Sequence, residues 1–131
     1  MNGEDQNSET TEDSAKGERI AKRLARAGVS NVQTHVLSSE ADPFLKRHVG
    51  SADWVLVDAP CSGSGTWRRN PDLKWRTTLD DLDELKKMQA RILPQAARLV
   101  KPGGRLVYVT CSIFNDENFH QVKQFLANNS N

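Results

Sequence analysis

The sequence predicts an α/β fold built on a parallel sheet, and three observations carry that prediction. Trp54-Val55-Leu56-Val57 is a run of four β-formers, too short for a helix, and reads as a fully buried strand. Arg105 to Val109 is a second run of the same kind. Between them Leu79, Leu82, Leu85, Met88, Ile92, Ala96 and Leu99 recur at helical spacing and mark one apolar stripe facing a core. Strand, helix and strand in that order give parallel pairing through a right-handed crossover.

Composition bounds the rest. A chain of 131 residues holds one domain with a real core. Its net charge of +1 and 37% hydrophobic content suit a globular protein rather than a membrane span, and no apolar run is long enough for one. The N-terminal residues lack the basic start and apolar segment of a secretory signal. Two cysteines, with no Cys/His cluster at zinc spacing, suggest neither a disulfide framework nor a metal site. A reduced, cytoplasmic protein is the expectation.

Residues 1–15 are polar and acidic, with no large apolar side chain after Met1, and read as a disordered tail; residues 16–131 form the domain. Ile20, Leu24 and Ala27 place one apolar stripe on a basic helix over Lys16 to Ala27, which Gly28 ends. Asn31 to Leu37 alternates, with Val32, Thr34 and Val36 on one side and Gln33 and His35 on the other, as in a strand near a sheet edge. Pro43 to His48 suits a short helix capped by Asp42. Pro60 cannot continue a ladder, so the central strand ends close to Asp58. Thr66 to Thr77 reads as a loop. Thr78 and Asp81 match a helix start, and Pro94 should kink or break that helix near Arg91. Lys101-Pro102-Gly103-Gly104 is a turn before the second strand. Asn115 to Leu126 is a closing helix with Phe119, Val122 and Phe125 or Leu126 inward.

Asp58 and Cys61 thus sit just past one strand's carboxyl end, and Thr110-Cys111-Ser112 past the next. In open α/β sheets that edge is where ligands bind. A free cysteine is ordinarily a packing residue. Two of them at neighbouring strand ends point instead to chemistry in one crevice, with helix amides expected to lower a thiol pKa there. Gly63 and Gly65 allow a tight, positive-φ loop next to a ligand, although Ser-Gly-Ser-Gly is not a dinucleotide fingerprint. Trp67 to Arg76 carries four cations, Arg68, Arg69, Lys74 and Arg76, against Asp72, for a local charge of +3. Interleaved with Trp67 and Trp75, these residues offer the stacking faces and phosphate partners of a single-stranded nucleic acid groove, where a solvated charge run is the plainer alternative.

Asp58-Ala-Pro-Cys61-Ser-Gly-Ser-Gly65, then Arg68-Arg69-Asn70-Pro71-Asp72-Leu73-Lys74-Trp75, Gln89, Leu93, Gly103-Gly104, Leu106-Val107-Tyr108, Thr110-Cys111-Ser112 and Glu117-Asn118 resemble the RNA (cytosine-5-)-methyltransferases of the Sun/Fmu/NOL1/NOP2 group, over roughly Lys16 to Leu126. The resemblance implies a Rossmann-like methyltransferase sheet and methyl transfer from S-adenosylmethionine to C5 of cytosine in RNA, with rRNA as the expected substrate. It implies that Cys111 is the nucleophile that adds to C6, that Cys61 assists proton removal and enzyme release, and that Asp58 hydrogen-bonds the cytosine edge. DNA cytosine methyltransferases instead attack with the Pro-Cys thiol, so the assignment rests on the Thr-Cys motif. The cofactor contacts implied are Asp58, Pro60 and Glu40, the last standing weakly where the family places an Asp. RNA contacts fall to Arg68, Arg69, Lys74, Trp75 and Arg76.

The same resemblance makes the sheet incomplete. Its strand order is 3-2-1-4-5; the strands read here correspond to 3, 4 and 5, and the first strand with its glycine-rich cofactor loop is not in this sequence. The chain is therefore expected to be the C-terminal catalytic half, to bind S-adenosylmethionine weakly or not at all by itself, and to have the N-terminal half as a partner. The alternative is a non-catalytic RNA-binding or interaction module keeping the basic aromatic loop. A thiol oxidoreductase is disfavoured because the cysteines lie fifty residues apart without a C-x-x-C arrangement.

Overall fold

The computed structural model describes residues 6–129, with backbone alone for 6–14 and 16. The chain divides into two compact units, Met1–Asp42 and Pro43–Asn131, where a tail and a single domain from residue 16 were expected.

In the first unit, helix α1 (Gln6–Arg26) begins ten residues ahead of Lys16. It thereby takes in most of the tail expected to be disordered, whose first five residues lie outside the described ones. No Pro or Gly interrupts the stretch from Gln6 to Lys16, so a helix nucleated downstream can propagate back through it. Gly28 ends α1 as expected: it takes φ 68°, donates to the Ala25 carbonyl at 3.1 Å, and Val29 donates to Leu24 at 3.0 Å. The strand expected at Asn31 to Leu37 does not form; its residues are irregular and exposed. Alternation supplies a face but not a ladder, and the one sheet among the described residues pairs β1 (Ala52–Asp58) with β2 (Val100–Val109) only. Asp42 turns its carboxylate back to the Ser38 amide and hydroxyl, each at 2.9 Å, and to His35 Nε2 at 3.2 Å.

The second unit runs α2 (Pro43–Arg47), β1 (Ala52–Asp58), α3 (Pro71–Arg76), α4 (Leu79–Ala97), β2 (Val100–Val109) and α5 (Phe119–Asn128). β1 and β2 pair in parallel, from Trp54 opposite Arg105 to Asp58 opposite Val109. The Lys101 to Gly104 turn is drawn into β2 as an irregularity, since the register jumps between Ala52–Val100 and Trp54–Arg105. A side chain at Gly104 would lie 2.8 Å from the Asp53 carbonyl oxygen, so only glycine fits that crossing.

α4 starts on the expected capping box, with Thr78 Oγ1 accepting from the Asp81 amide at 3.1 Å and Asp81 returning a carboxylate to the Thr78 amide at 2.9 Å. It does not break at Pro94 but continues to Ala97. The residues of its inner face that become fully buried are Gln89, Leu93 and Ala96, while Leu79 is exposed. Val57, Ala59 and Ala96 form the core, with Val55, Ile92, Leu106 and Tyr108 against them. β1 is not buried on both faces as expected: Val57 is covered, but Trp54 is 63% and Leu56 66% exposed. Successive strand residues point to opposite sides, and α4 covers one side only. Of the inward residues expected in α5, Val122 and Phe125 are half-buried, whereas Phe119 is exposed and Gln121 is buried. The stretch expected to be a loop contains α3, opened by Pro71 in its first turn.

Candidate active site

Where β1 and β2 end side by side, the Ala59 amide donates to the Val109 carbonyl at 2.9 Å, and the two chains then leave the sheet as adjacent loops. Cys61 and Cys111, fifty residues apart in sequence, come together there with their Sγ atoms 3.1 Å apart, one half-buried and the other exposed. The meeting of both thiols at one sheet edge, expected from strand order, is therefore observed. Each cysteine is followed by a short 3-10 turn, Ser64–Thr66 or Asn115–Glu117, rather than seated on a helix N-terminus. The expected lowering of a thiol pKa by helix amides is accordingly reversed. The hydrogen bond to Cys61, then burial, then the charges of Cys61 and Asp58 push the Cys111 thiol up.

Glycine serves this meeting of loops in two ways. Gly63 takes φ 67°, a left-handed conformation costly for other residues. Gly65 donates its amide to the Cys111 carbonyl at 2.9 Å, and a Cβ on it would lie 2.8 Å from that oxygen. The missing side chain at Gly65 thus makes room for protein backbone, not for a ligand as the sequence suggested.

A buried polar network lies below the sulfurs, and no sequence motif singled it out as functional. Glu117 is fully buried. Its carboxylate accepts from the Ser62 amide at 2.8 Å, the Ser62 hydroxyl at 2.6 Å, the Ser112 hydroxyl, and Gln89 Nε2 at 3.1 Å. Burial pushes its pKa up, but the hydrogen bonds from Ser112, Ser62 and Gln89 outweigh that and hold it below the ordinary carboxylate value. Gln89 also donates to the Pro60 carbonyl at 2.9 Å. Ser64 Oγ accepts from the Ile113 amide at 2.9 Å and meets Ser112 Oγ at 3.0 Å. Tyr108 donates its hydroxyl to the Glu117 carbonyl at 2.8 Å; burial, with Glu117 and Cys61 adding, pushes its pKa up to about 12, so it remains a donor. Asn118 Nδ2 donates to Ser112 and Phe114 carbonyls at 2.8 and 3.0 Å. Gln89 and Glu117-Asn118 stood among the residues that carry the family resemblance, but with no role attached, and nothing local to either showed that they would meet.

Asp58 is exposed at the end of β1, its backbone in the ladder opposite Val109 and its carboxylate without a hydrogen bond or ion pair among the described residues. Pro60, two residues on, is exposed as well. Glu40 is an exposed turn residue of the other unit. Arg68, Arg69, Lys74, Trp75 and Arg76 are all exposed on the turn and α3 that follow the Cys61 loop. Trp75 is 82% exposed with Lys74 Nζ 5.6 Å from its ring centre, whereas Trp67 packs edge-on against Phe114 at 5.7 Å. One tryptophan of the pair is thus available for stacking. A cleft of about 550 Å³ lined by Asp83, Lys86, Asp116 and His120 lies between α4 and α5 and includes neither cysteine. No described helix is long and apolar enough to cross a membrane, and the described residues hold no His/Cys/Asp/Glu cluster that fits a metal ion.

Comparison with known proteins agrees with this geometry. A family described as 16S rRNA methyltransferase RsmB/F matches residues 6–131. The ribosomal RNA small subunit methyltransferase B of Shewanella oneidensis is 37% identical over 115 residues, which are 88% of this chain and 26% of that protein. Its counterpart from Vibrio vulnificus is 40% identical over 116 residues, again 88% and 26%. A crystal structure of PH0851 superposes with a TM-score of 0.77 at 43% identity, covering 84% of this chain and 25% of that one. The chain spans about a quarter of the length of these relatives.

Proposed function

This chain belongs to the 16S rRNA methyltransferase RsmB/F family, with an incomplete Rossmann-like sheet, and we propose that its paired thiols perform C5 methylation of cytosine in ribosomal RNA. The observation that supports this reading is the 3.1 Å approach of Cys61 and Cys111 at adjacent strand ends, beside an open carboxylate. C5 of cytosine is a poor nucleophile. Addition of the Cys111 thiolate to C6 moves electron density through the ring to C5, while Asp58 holds the base edge and favours protonation of N3. S-adenosylmethionine, when bound, supplies the electrophilic methyl group at this sheet edge. Cys61, in contact with Cys111, would act as a thiolate and accept the C5 proton; as that C–H bond breaks the C5=C6 bond re-forms, the Cys111–C6 bond breaks, and Cys111 leaves as the thiolate that entered.

Asp58 and Pro60 would face the cofactor from this chain. The remaining strands of the family domain would extend the sheet from the free edge of β1 and complete the cofactor pocket, and its helices would cover the bare face at Trp54 and Leu56. Trp75 with Arg68, Arg69, Lys74 and Arg76 would bind the RNA strand. The test is covalent trapping with the chain complemented by the rest of the domain, methyl donor and a cytosine-containing rRNA fragment. Cys61→Ala should accumulate an RNA adduct and Cys111→Ala should form none; the opposite pattern reverses the two roles. A second reading, RNA binding without catalysis, is favoured by the open cofactor side. It holds if the complemented protein binds RNA but neither takes up methyl donor nor forms an adduct.

A further inference from the structure

We propose that Glu117 is a positioning residue for the thiol pair: its buried carboxylate pins the residue after each cysteine to a common point and so sets the separation of the two sulfurs. One oxygen, Oε1, accepts from the Ser62 amide at 2.8 Å, and the other, Oε2, from the Ser62 hydroxyl at 2.6 Å and the Ser112 hydroxyl. Ser62 follows Cys61 and Ser112 follows Cys111, so a single planar group joins both loops.

Its own place is determined from outside the pair. The Glu117 amide donates to Phe114 at 3.2 Å, its carbonyl accepts from Tyr108, and Gln89 of α4 reaches Oε1 at 3.1 Å while also holding the Pro60 carbonyl. A charge with no exposed surface is costly to bury unless its lone pairs are filled, and here four donors fill them. A neutral glutamine would be cheaper to bury but has one acceptor oxygen, so the Ser62 and Ser112 hydroxyls would lose the shared charged acceptor and have to turn round to accept from its amide group. The carboxylate therefore acts through Ser62 and Ser112, and the thiols answer to it as a pair.

This rests on the reading of Cys61 and Cys111 as the working thiols, yet it is testable without RNA or methyl donor. The experiment is the rate of intramolecular Cys61–Cys111 cross-linking in the full chain with an azodicarboxamide oxidant. As the S–S bond forms, the oxidant takes up the two electrons and two thiol protons and becomes the hydrazine. Glu117→Gln should slow the cross-link on the order of tenfold or more, since misplacement by about 1 Å is enough to cost that much. Glu117→Asp, which keeps the charge on a shorter arm, should recover part of the rate. Leu93→Ala, which removes a side chain only 2% exposed from α4, is the stability control and should cross-link at the unaltered rate while folded. An unaltered rate in Glu117→Gln, or an equal slowing in Leu93→Ala, overturns the proposal. Should Glu117→Gln not fold, Glu117→Asp against Leu93→Ala decides by the same criteria. A slowed cross-link combined with failed covalent trapping would uphold the clamp and remove the catalytic reading.

Discussion

Gly65→Ala tests whether the two thiol loops are held by direct backbone contact. The added Cβ would lie 2.8 Å from the Cys111 carbonyl oxygen and 3.6 Å from Ile113 Cγ2. A carbon and a carbonyl oxygen ordinarily approach no closer than about 3.3 Å, so the loops must part by about 0.5 Å. That stretches the 2.9 Å hydrogen bond from Gly65 to Cys111 to about 3.4 Å, past useful length. Loss of the bond costs about 0.5–1.5 kcal/mol, and forced repacking adds about 1–3 kcal/mol. The reduced entropy of the unfolded alanine chain returns about 0.4–1 kcal/mol. Together these span about 0.5–4 kcal/mol, and because Gly65 is exposed and water can satisfy the freed groups the net loss should avoid the upper end and fall at about 1–3 kcal/mol. Urea denaturation followed by circular dichroism measures it; with a slope of about 1–3 kcal/mol/M the midpoint should fall by about 1 M. A midpoint that stays put or rises would mean that the loops separate freely and that the contact does not hold the sulfurs together.

Three further outcomes follow from the site. Because Cys61 is the largest cause of the raised Cys111 pKa, Cys61→Ala should shift the pH profile of Cys111 alkylation to lower pH; an unmoved profile means the thiols are not coupled. Glu117 has a lowered pKa, so the folded state binds fewer protons than the unfolded one. Its contribution is complete above the ordinary carboxylate range and lost as pH falls through the folded pKa, and the acid limb of stability against pH should flatten in Glu117→Gln. Trp75→Ala should weaken binding of a single-stranded oligonucleotide by about 1–3 kcal/mol, roughly 5- to 150-fold, by anisotropy. Its thermal midpoint should not change, because the ring is 82% exposed.

The sequence by itself determined the elements whose cause is local. Gly28 ended α1, Thr78 and Asp81 started α4, and Pro60 stopped β1 at Asp58, because capping, φ and a missing amide act within a few residues. The parallel order of β1 and β2 was legible too, since crossover chirality leaves few alternatives, and with it the meeting of Cys61 and Cys111. What depends on neighbours was not legible. The alternation of Asn31 to Leu37 did not yield a strand without a partner, and Trp54 and Leu56 remained bare because burial depends on which face another layer covers. Local rules also made Thr66 to Thr77 a loop and had Pro94 kink or break its helix near Arg91; tertiary structure instead contains α3, and α4 runs unbroken to Ala97. Above all, only the tertiary structure decided that Cys111 has a raised thiol pKa and that Glu117 and Gln89 hold its loop to that of Cys61. Those properties belong to groups brought within about 3 Å from segments that lie 28 to 55 residues apart in the chain.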